Sequence, residues 1–249
     1  MPDLTVQTPS NFKFSATSVD DLGASEYTLV TIAVDVSASV HGFHLELEQC
    51  IQTIIESCKA SPRSENLMVR ILTFNQSVNE IHGFKLLDDI NVDEYVGSLN
   101  PGGSTSCYDA IVQGIEAMNE YARILQDQEF LANGVVYVLT DGADNTSSFT
   151  TTEIKSRIGS CIRDEYLESL SVILIGVGYE DIADYLDNLK DEAELNQFVS
   201  MTELFNESNP ENALAKLAGY VSQSIVSSSQ SLANGSAGTS GASSSLLII

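Results

Sequence analysis

Asp35, Ser37 and Ser39 stand at alternate positions in Thr31–Ser39, T-I-A-V-D-V-S-A-S, where an apolar run breaks into oxygen-bearing side chains. At that spacing an extended or looped backbone can turn three side chains toward one point. Two further stretches offer the same chemistry. G-G-S-T-S occupies positions 102–106, and T-D-G-A-D-N at 140–145 again runs from an apolar segment into an aspartate, Asp141. Carboxylates and hydroxyls without nitrogen or sulfur suit a hard cation. Magnesium demands near-octahedral oxygen coordination and keeps several waters, so two carboxylates and a few neutral hydroxyls would hold it without saturating it. A position remains for a carboxylate supplied from outside.

Such a site needs elements that gather distant segments. Tyr27–Val34 is a continuous apolar run of strand length, as expected for a central parallel strand covered on both faces. Leu67–Phe74, Val135–Thr140 and Leu170–Val177 have the same character, and Gln197–Ser200 reads as a short last strand. The link Asn75–Ser77 into Val78–Phe84 is too short for a crossover, so that pair must be antiparallel. Val78–Phe84 is therefore expected at the sheet edge. Apolar residues recur mainly at helical spacing over His41–Ala60 (Leu45, Leu47, Ile51, Ile54, Ile55, Cys58) and on one stripe over Cys107–Gln126 (Ile111, Ile115, Met118, Ala122, Leu125). Phe149–Tyr166 opens with Thr150 and Glu153 in capping-box spacing. A short acidic helix over Asp181–Leu189 and a final one from Asn209 or Pro210 to Val226 complete the pattern.

This alternation predicts an α/β fold: a doubly wound, mostly parallel sheet with one antiparallel edge strand and helices on both faces. The carboxyl ends of parallel strands lie together in such a sheet, and ligands gather there. Residues 1–26 read as a leader whose middle can add an edge strand, 27–226 as the domain, and 227–249 as a flexible tail. That tail is uncharged, mostly Ser, Gly and Ala, and ends in L-L-I-I.

Eleven basic residues against 35 acidic, a net charge of −24, exclude a phosphate backbone as the natural partner and favour a basic protein or a cation. Nothing resembles an apolar span of about 18 residues, so no membrane crossing is expected. The start, M-P-D-L-T-V-Q-T-P-S, lacks the basic and apolar regions of a secretory signal, and a cytoplasmic location is the expectation. Cys50, Cys58, Cys107 and Cys161 show no C-x-x-C spacing and read as buried free thiols of a reducing compartment. The sequence does not fix an oligomeric state.

Asp35-x-Ser37-x-Ser39, followed by Thr105 and then Asp141, resembles the metal-ion-dependent adhesion site of von Willebrand factor type A domains. The likeness covers about Tyr27 to Val226, and the order of strands and helices matches that Rossmann-like fold in its stand-alone prokaryotic form. The resemblance implies Mg2+, with Mn2+ or Ca2+ as alternatives, held by the hydroxyls of Ser37, Ser39 and Thr105 and, directly or through water, by Asp35 and Asp141. Gly102 and Gly103 would shape the loop presenting Thr105, and Gly142 the turn after Asp141. Ser104, Thr105 or Ser106 could each face the metal; Thr105 is selected because the following C-Y-D-A lines up with the family's helix start. Ala38 stands where many members have glycine, which is tolerated unless that position needs positive φ. Asp144 and Asn145 are close enough to support the site, although an Asx turn is their simpler role.

The resemblance further implies a metal-dependent protein-interaction module whose ion is completed by an Asp or Glu of a partner protein, in an AAA+-associated, stress or defence setting. The alternative is an assembly component that binds through its acidic surface or its tail independently of metal. Catalysis is not expected. The position where aspartyl phosphotransferases place a second aspartate is Ser37, no lysine follows G-G-S-T-S as in a P-loop, and no G-x-S-x-G elbow occurs. His41 and His44 have the spacing of a zinc pair on a helix, but the sequence offers them no third ligand, and His82 lies on the expected edge strand.

Overall fold

The computed structural model describes residues 3–177, 182–201 and 210–233. The strands are β1 (Asp3–Gln7), β2 (Lys13–Thr17), β3 (Glu26–Asp35), β4 (Leu67–Phe74), β5 (Val78–Leu86), β6 (Leu131–Thr140), β7 (Leu170–Val177) and β8 (Gln197–Met201). The helices are α1 (His44–Lys59), α2 (Cys107–Gln126), α3 (Thr151–Asp164), α4 (Ala183–Glu192) and α5 (Pro210–Ala233). Among the described residues the strands form one eight-stranded sheet in the order β1-β2-β5-β4-β3-β6-β7-β8. From β4 through β3, β6 and β7 to β8 the strands run parallel.

The hydrophobic pattern explains the layering. Tyr27 to Asp35 is buried throughout. Alternate residues Val30, Ile32 and Val34 pack with α1 and α5 on one face, while Leu29 and Ala33 pack with α2, α3 and α4 on the other. The sheet is thus doubly wound with helices on both faces. Helix α3 starts on the complete capping box expected from Thr150 and Glu153. It ends at Asp164, with Glu165 in the left-handed region at φ 54°.

Strand β5 is antiparallel to β4, but it is not the edge. Residues 3–17 of the leader form the hairpin β1–β2; β2 docks parallel to β5 through Ala16 and Phe84, and β1 is the antiparallel edge. The close approach depends on Gly83, because a Cβ there would stand 1.7 Å from the Ser15 carbonyl oxygen. Charge fixes the hairpin as well. Glu80 accepts hydrogen bonds from Ser15 N–H (3.0 Å) and Ser15 Oγ (2.7 Å) while pairing with the buried Arg70 at 2.7 Å. At the hairpin turn, Ser10 donates through N–H (3.1 Å) and Oγ (2.6 Å) to the buried Glu116 of α2, which also pairs with Arg157 of α3.

Several boundaries differ from the sequence reading. A short 3-10 turn, Ala38–Gly42, precedes α1, which begins at His44. Strand β6 begins at Leu131 and takes in Asn133 and Gly134, where the sequence suggests a loop. Helix α5 continues past Val226 to Ala233, because its serines find partners: Ser229 Oγ accepts from Arg63 Nε (2.9 Å) and the Ser228 carbonyl from Asn133 Nδ2 (2.9 Å). The expected helix starts at Asp181 and Asn209, and the tail beyond Ala233, lie outside the described residues.

Candidate functional site

Strand β3 feeds α1 on one face of the sheet, whereas the neighbouring β6 feeds α3 on the other. Their carboxyl ends therefore splay into a crevice, the topological switch point at which doubly wound folds bind ligands. Asp35 ends β3 and Asp141 follows the last residue of β6.

Inside this crevice the carboxylate of Asp35, 1% exposed, is fixed on both oxygens. Oδ1 accepts from Ser37 N–H at 2.8 Å and Oδ2 from Thr140 Oγ1 at 2.6 Å. Ser39 Oγ donates to Asp141 Oδ1 at 2.8 Å, and Ser37 Oγ lies 3.0 Å from Ser39 Oγ, so the hydroxyl protons run from Ser37 through Ser39 to Asp141. Four of the five expected residues thus form two short hydrogen-bonded units at one point. Thr105, 4% exposed, lies beside Gly142, where an added Cβ would stand 3.7 Å from Thr105 Oγ1.

The middle loop is tied down by backbone and side chain alike. Gly102 N–H donates to the Val36 carbonyl (2.8 Å), and Ala38 N–H donates to the Gly103 carbonyl (3.2 Å), which joins the first and second loops. Gly103 has φ +83° and faces Gln76 so closely that a Cβ would lie 2.3 Å from Oε1, so the expected glycine requirement is met here. Ala38 is not among the residues with left-handed φ, and its methyl group is unstrained. Ser106 is 0% exposed; its N–H reaches the Asn75 carbonyl (2.7 Å) and its hydroxyl has no partner among the described residues.

Two neighbours do more than their sequence suggests. Asn145 clamps the Thr105 peptide on both sides: its Oδ1 accepts from Thr105 N–H (2.9 Å) and its N–H donates to the Thr105 carbonyl (3.0 Å). Asp144 accepts from Tyr108 N–H (3.2 Å) in the first turn of α2 and from Ser147 N–H (3.3 Å), the local turn role expected of it. Asp109 holds the loop before α3 by accepting from Ser148 N–H (2.8 Å) and Phe149 N–H (3.0 Å). Asn145 is placed near the site by the sequence although its clamp on Thr105 is not, and Thr140 has no signal of its own beyond adjacency to Asp141.

Electrostatically the crevice lacks a counter-charge. Neither Asp35 nor Asp141 pairs with a Lys or Arg among the described residues. Burial raises the Asp35 carboxyl, against the hydrogen bonds from Thr140 and Ser37. Burial likewise pushes Asp141 up to about 6, the Asp35 charge adds to this, and the Ser39 hydroxyl opposes it. Two carboxylates and three hydroxyls, all oxygen and short of positive charge, form a donor set that fits a hard divalent cation.

The histidines lie elsewhere. His41 and His44 stack at 5.6 Å between ring centroids, with His44 Nδ1 on the His41 carbonyl, and no cluster of three His, Cys, Asp or Glu able to hold a metal occurs among the described residues. His82 is buried between the Gly83 carbonyl (2.8 Å) and the Tyr95 hydroxyl (2.7 Å).

Comparison with known proteins gives a family and a fold. The family model described as von Willebrand factor type A domain matches residues 30–218. The human inter-alpha-trypsin inhibitor heavy chain H2 is 20% identical over 169 residues, which are 66% of this chain and 17% of that protein. Among solved structures, the PilB minor pilin of Streptococcus sanguinis superposes with a TM-score of 0.56 at 16% identity, covering 84% of this chain and 63% of the pilin. The pilus adhesin SpaC of Lactobacillus rhamnosus GG gives 0.58 at 10% identity, covering 83% of this chain and 31% of the adhesin. The chain therefore spans less than two thirds of each of these proteins. The two solved structures are described as a minor pilin and a pilus adhesin.

The same comparisons correct the cytoplasmic expectation, since the pilin and adhesin that the fold resembles are cell-surface proteins. The thiols that suggest a reducing compartment carry no such information. All four are buried and unpaired; burial pushes Cys50, Cys58 and Cys161 up to about 12 and Cys107 well above its ordinary value. Thiols kept protonated and inaccessible are inert on either side of a membrane. No helix among the described residues is long and apolar enough to cross a membrane.

Proposed function

Because the chain belongs to the von Willebrand factor type A domain family, we propose that its crevice holds a divalent cation through which the domain captures a partner protein. Asp35, Ser37, Ser39, Thr105 and Asp141 are the ligands, direct or through water, and Mg2+ is the physiological ion, with Mn2+ or Ca2+ able to replace it. One observation supports the reading: the loops after β3 and β6 meet through oxygen donors, the loop carrying Thr105 is tied to both by backbone hydrogen bonds, and neither carboxylate has a cationic partner among the described residues. When bound, the ion supplies a Lewis-acidic position that a carboxylate can fill.

The chain's residues do the rest. Thr140 and the Ser37 amide hold Asp35 so that its orientation does not depend on the ion. The half-buried Asp141 and the exposed Ser39 form a rim, with the buried Ser37 hydroxyl beneath Ser39, through which an Asp or Glu of the partner enters. With neutral hydroxyls among the ligands the ion keeps enough positive charge to attract that carboxylate. No residue selects the AAA+-associated, stress or defence setting, so the proposal is confined to the interaction itself.

Capture from the native cell with Mg2+, with EDTA, and with Asp35→Ala tests it. Partners retained in Mg2+ must be lost in the other two arms. Capture that survives both EDTA and Asp35→Ala refutes the metal mechanism and favours contact through the acidic surface.

A further inference from the structure

Helix α1 carries a polar stripe that serves neither solvent nor its own helix. Glu48, Gln52 and Lys59 fall on one face at helical spacing, and each bonds the backbone of the segment leading to Thr105. Lys59 Nζ donates to the Ile90 carbonyl (2.6 Å) and Gln52 Nε2 to the Val92 carbonyl (3.0 Å). Glu48 does the most. Its carboxylate, on a residue 4% exposed, accepts from Gly97 N–H at Oε2 (2.9 Å) and from Leu99 N–H at Oε1 (3.0 Å). No Lys or Arg neutralises it among the described residues.

A buried carboxylate without a counter-ion is costly unless its hydrogen bonds are worth keeping. Here they pin a turn in which Gly97 has φ +72°. From Leu99 the chain passes through Pro101 to Gly102 and Gly103, already bonded to Val36 and Ala38, and then to Thr105. Helix α1 itself grows out of the loop that carries Ser37 and Ser39. It is therefore rooted at one ligand loop and grips the approach to another.

We infer that Glu48 is a positioning residue for the cation site: it fixes the Gly97–Leu99 turn so that the Thr105 hydroxyl is presented opposite the Asp35–Ser39 loop. The inference rests on the metal reading above. Both acceptor oxygens are in use, so an amide at this position keeps one bond and turns an NH2 toward the other N–H. If Glu48 merely fastened a surface loop, its loss would lower stability without acting through Thr105.

Mn2+ affinity, read by electron paramagnetic resonance on the full chain, separates these cases. The variants are Glu48→Gln, Thr105→Ala, the double variant, and Glu56→Gln, which removes an exposed carboxylate from the same helix and controls for charge. Glu48→Gln is expected to bind Mn2+ about tenfold more weakly, the scale of one lost bond to a charged acceptor. Glu56→Gln is expected to bind as wild type does, and Glu48→Gln to cause no further loss in the Thr105→Ala background. Gly97→Ala perturbs the same turn from the loop side, with open space around it but an unfavourable φ, and is expected to weaken Mn2+ likewise. Amide exchange at Gly97 and Leu99 reports whether the two bonds have been lost.

Wild-type affinity in Glu48→Gln, with exchange at Gly97 and Leu99 accelerated, overturns the inference alone. A full additional loss in the Thr105→Ala background also overturns it. Absence of Mn2+ binding by the wild-type chain overturns the metal reading beneath it.

Discussion

Asp141→Asn should make the protein more stable than wild type when metal is absent and less stable than wild type when metal is bound. Without a cation the crevice holds two carboxylates and no positive partner, and burial pushes Asp141 up to about 6 from an ordinary 3.8. A folded-state pKa above the unfolded value contributes stability that is complete below about pH 4 and is lost as the pH rises through 6. A shift of about two units corresponds to at most ~3 kcal/mol at neutral pH. Asp141 is only half-buried, and solvent screening reduces the effect to about 1–2 kcal/mol.

The uncharged amide of the Asp141→Asn variant escapes this penalty while its side-chain oxygen still accepts from Ser39. In EDTA at pH 7.5 the variant should therefore melt about 4 °C above wild type, given about 2–4 °C per kcal/mol for a chain of this size. The gap should close by pH 4. Saturating Mg2+ should reverse the order, because wild type gains about 2.7 kcal/mol at a hundredfold excess over Kd and the variant gains little. Thermal unfolding followed by circular dichroism in the four combinations of protein and metal is sufficient. If Asp141→Asn melts below wild type in EDTA, or if Mg2+ raises both equally, the charge-starved cation site is refuted.

Asn145→Ala removes the side-chain acceptor for Thr105 N–H, and Mn2+ titration should show affinity about fivefold weaker, with the metal-free melting temperature lowered by about 2–4 °C, since about 1 kcal/mol is at stake. Gly83→Ala forces a methyl group into the Ser15 carbonyl and should cost about 3 kcal/mol or release the β1–β2 hairpin, seen as a lower urea midpoint and new protease cleavage between residues 18 and 25. Thr150→Ala breaks the capping box of α3 and should cost about 1 kcal/mol in urea unfolding while leaving Mn2+ affinity unchanged.

Much of the sheet is legible in the sequence because parallel strands covered on both faces are predominantly apolar, as β3, β4, β6 and β7 are. The capping box of α3 is equally visible, being a local pattern. What escapes is long-range. Strands β1 and β2 are short and partly polar, and only docking on β5 and the distant charges of Glu80 and Glu116 makes them part of the sheet. The serines that extend α5 read as flexible because their partners, Arg63 and Asn133, lie far back in the chain.

The site divides in the same way. Asp35, Ser37, Ser39 and Asp141 announce themselves by type and spacing, and the structure brings them together at the switch point. Asn145 and Glu48 do not, since an asparagine after a turn and a glutamate in a helix are ordinary until their acceptor oxygens are seen on backbone amides of another segment. The cysteines lend the cytoplasmic expectation no support, because a buried thiol reports burial, not redox environment.

Whether one cation is held by three loops is tested most directly by the stoichiometry of bound Mn2+ in wild type and in Asp35→Ala. With a net charge of −24 the chain attracts cations diffusely, so the variant is the decisive arm. One tightly bound Mn2+ per chain is expected, displaced by Mg2+ and absent from Asp35→Ala. A tight site that persists in Asp35→Ala, or none in the wild-type protein, would contradict the shared-cation site.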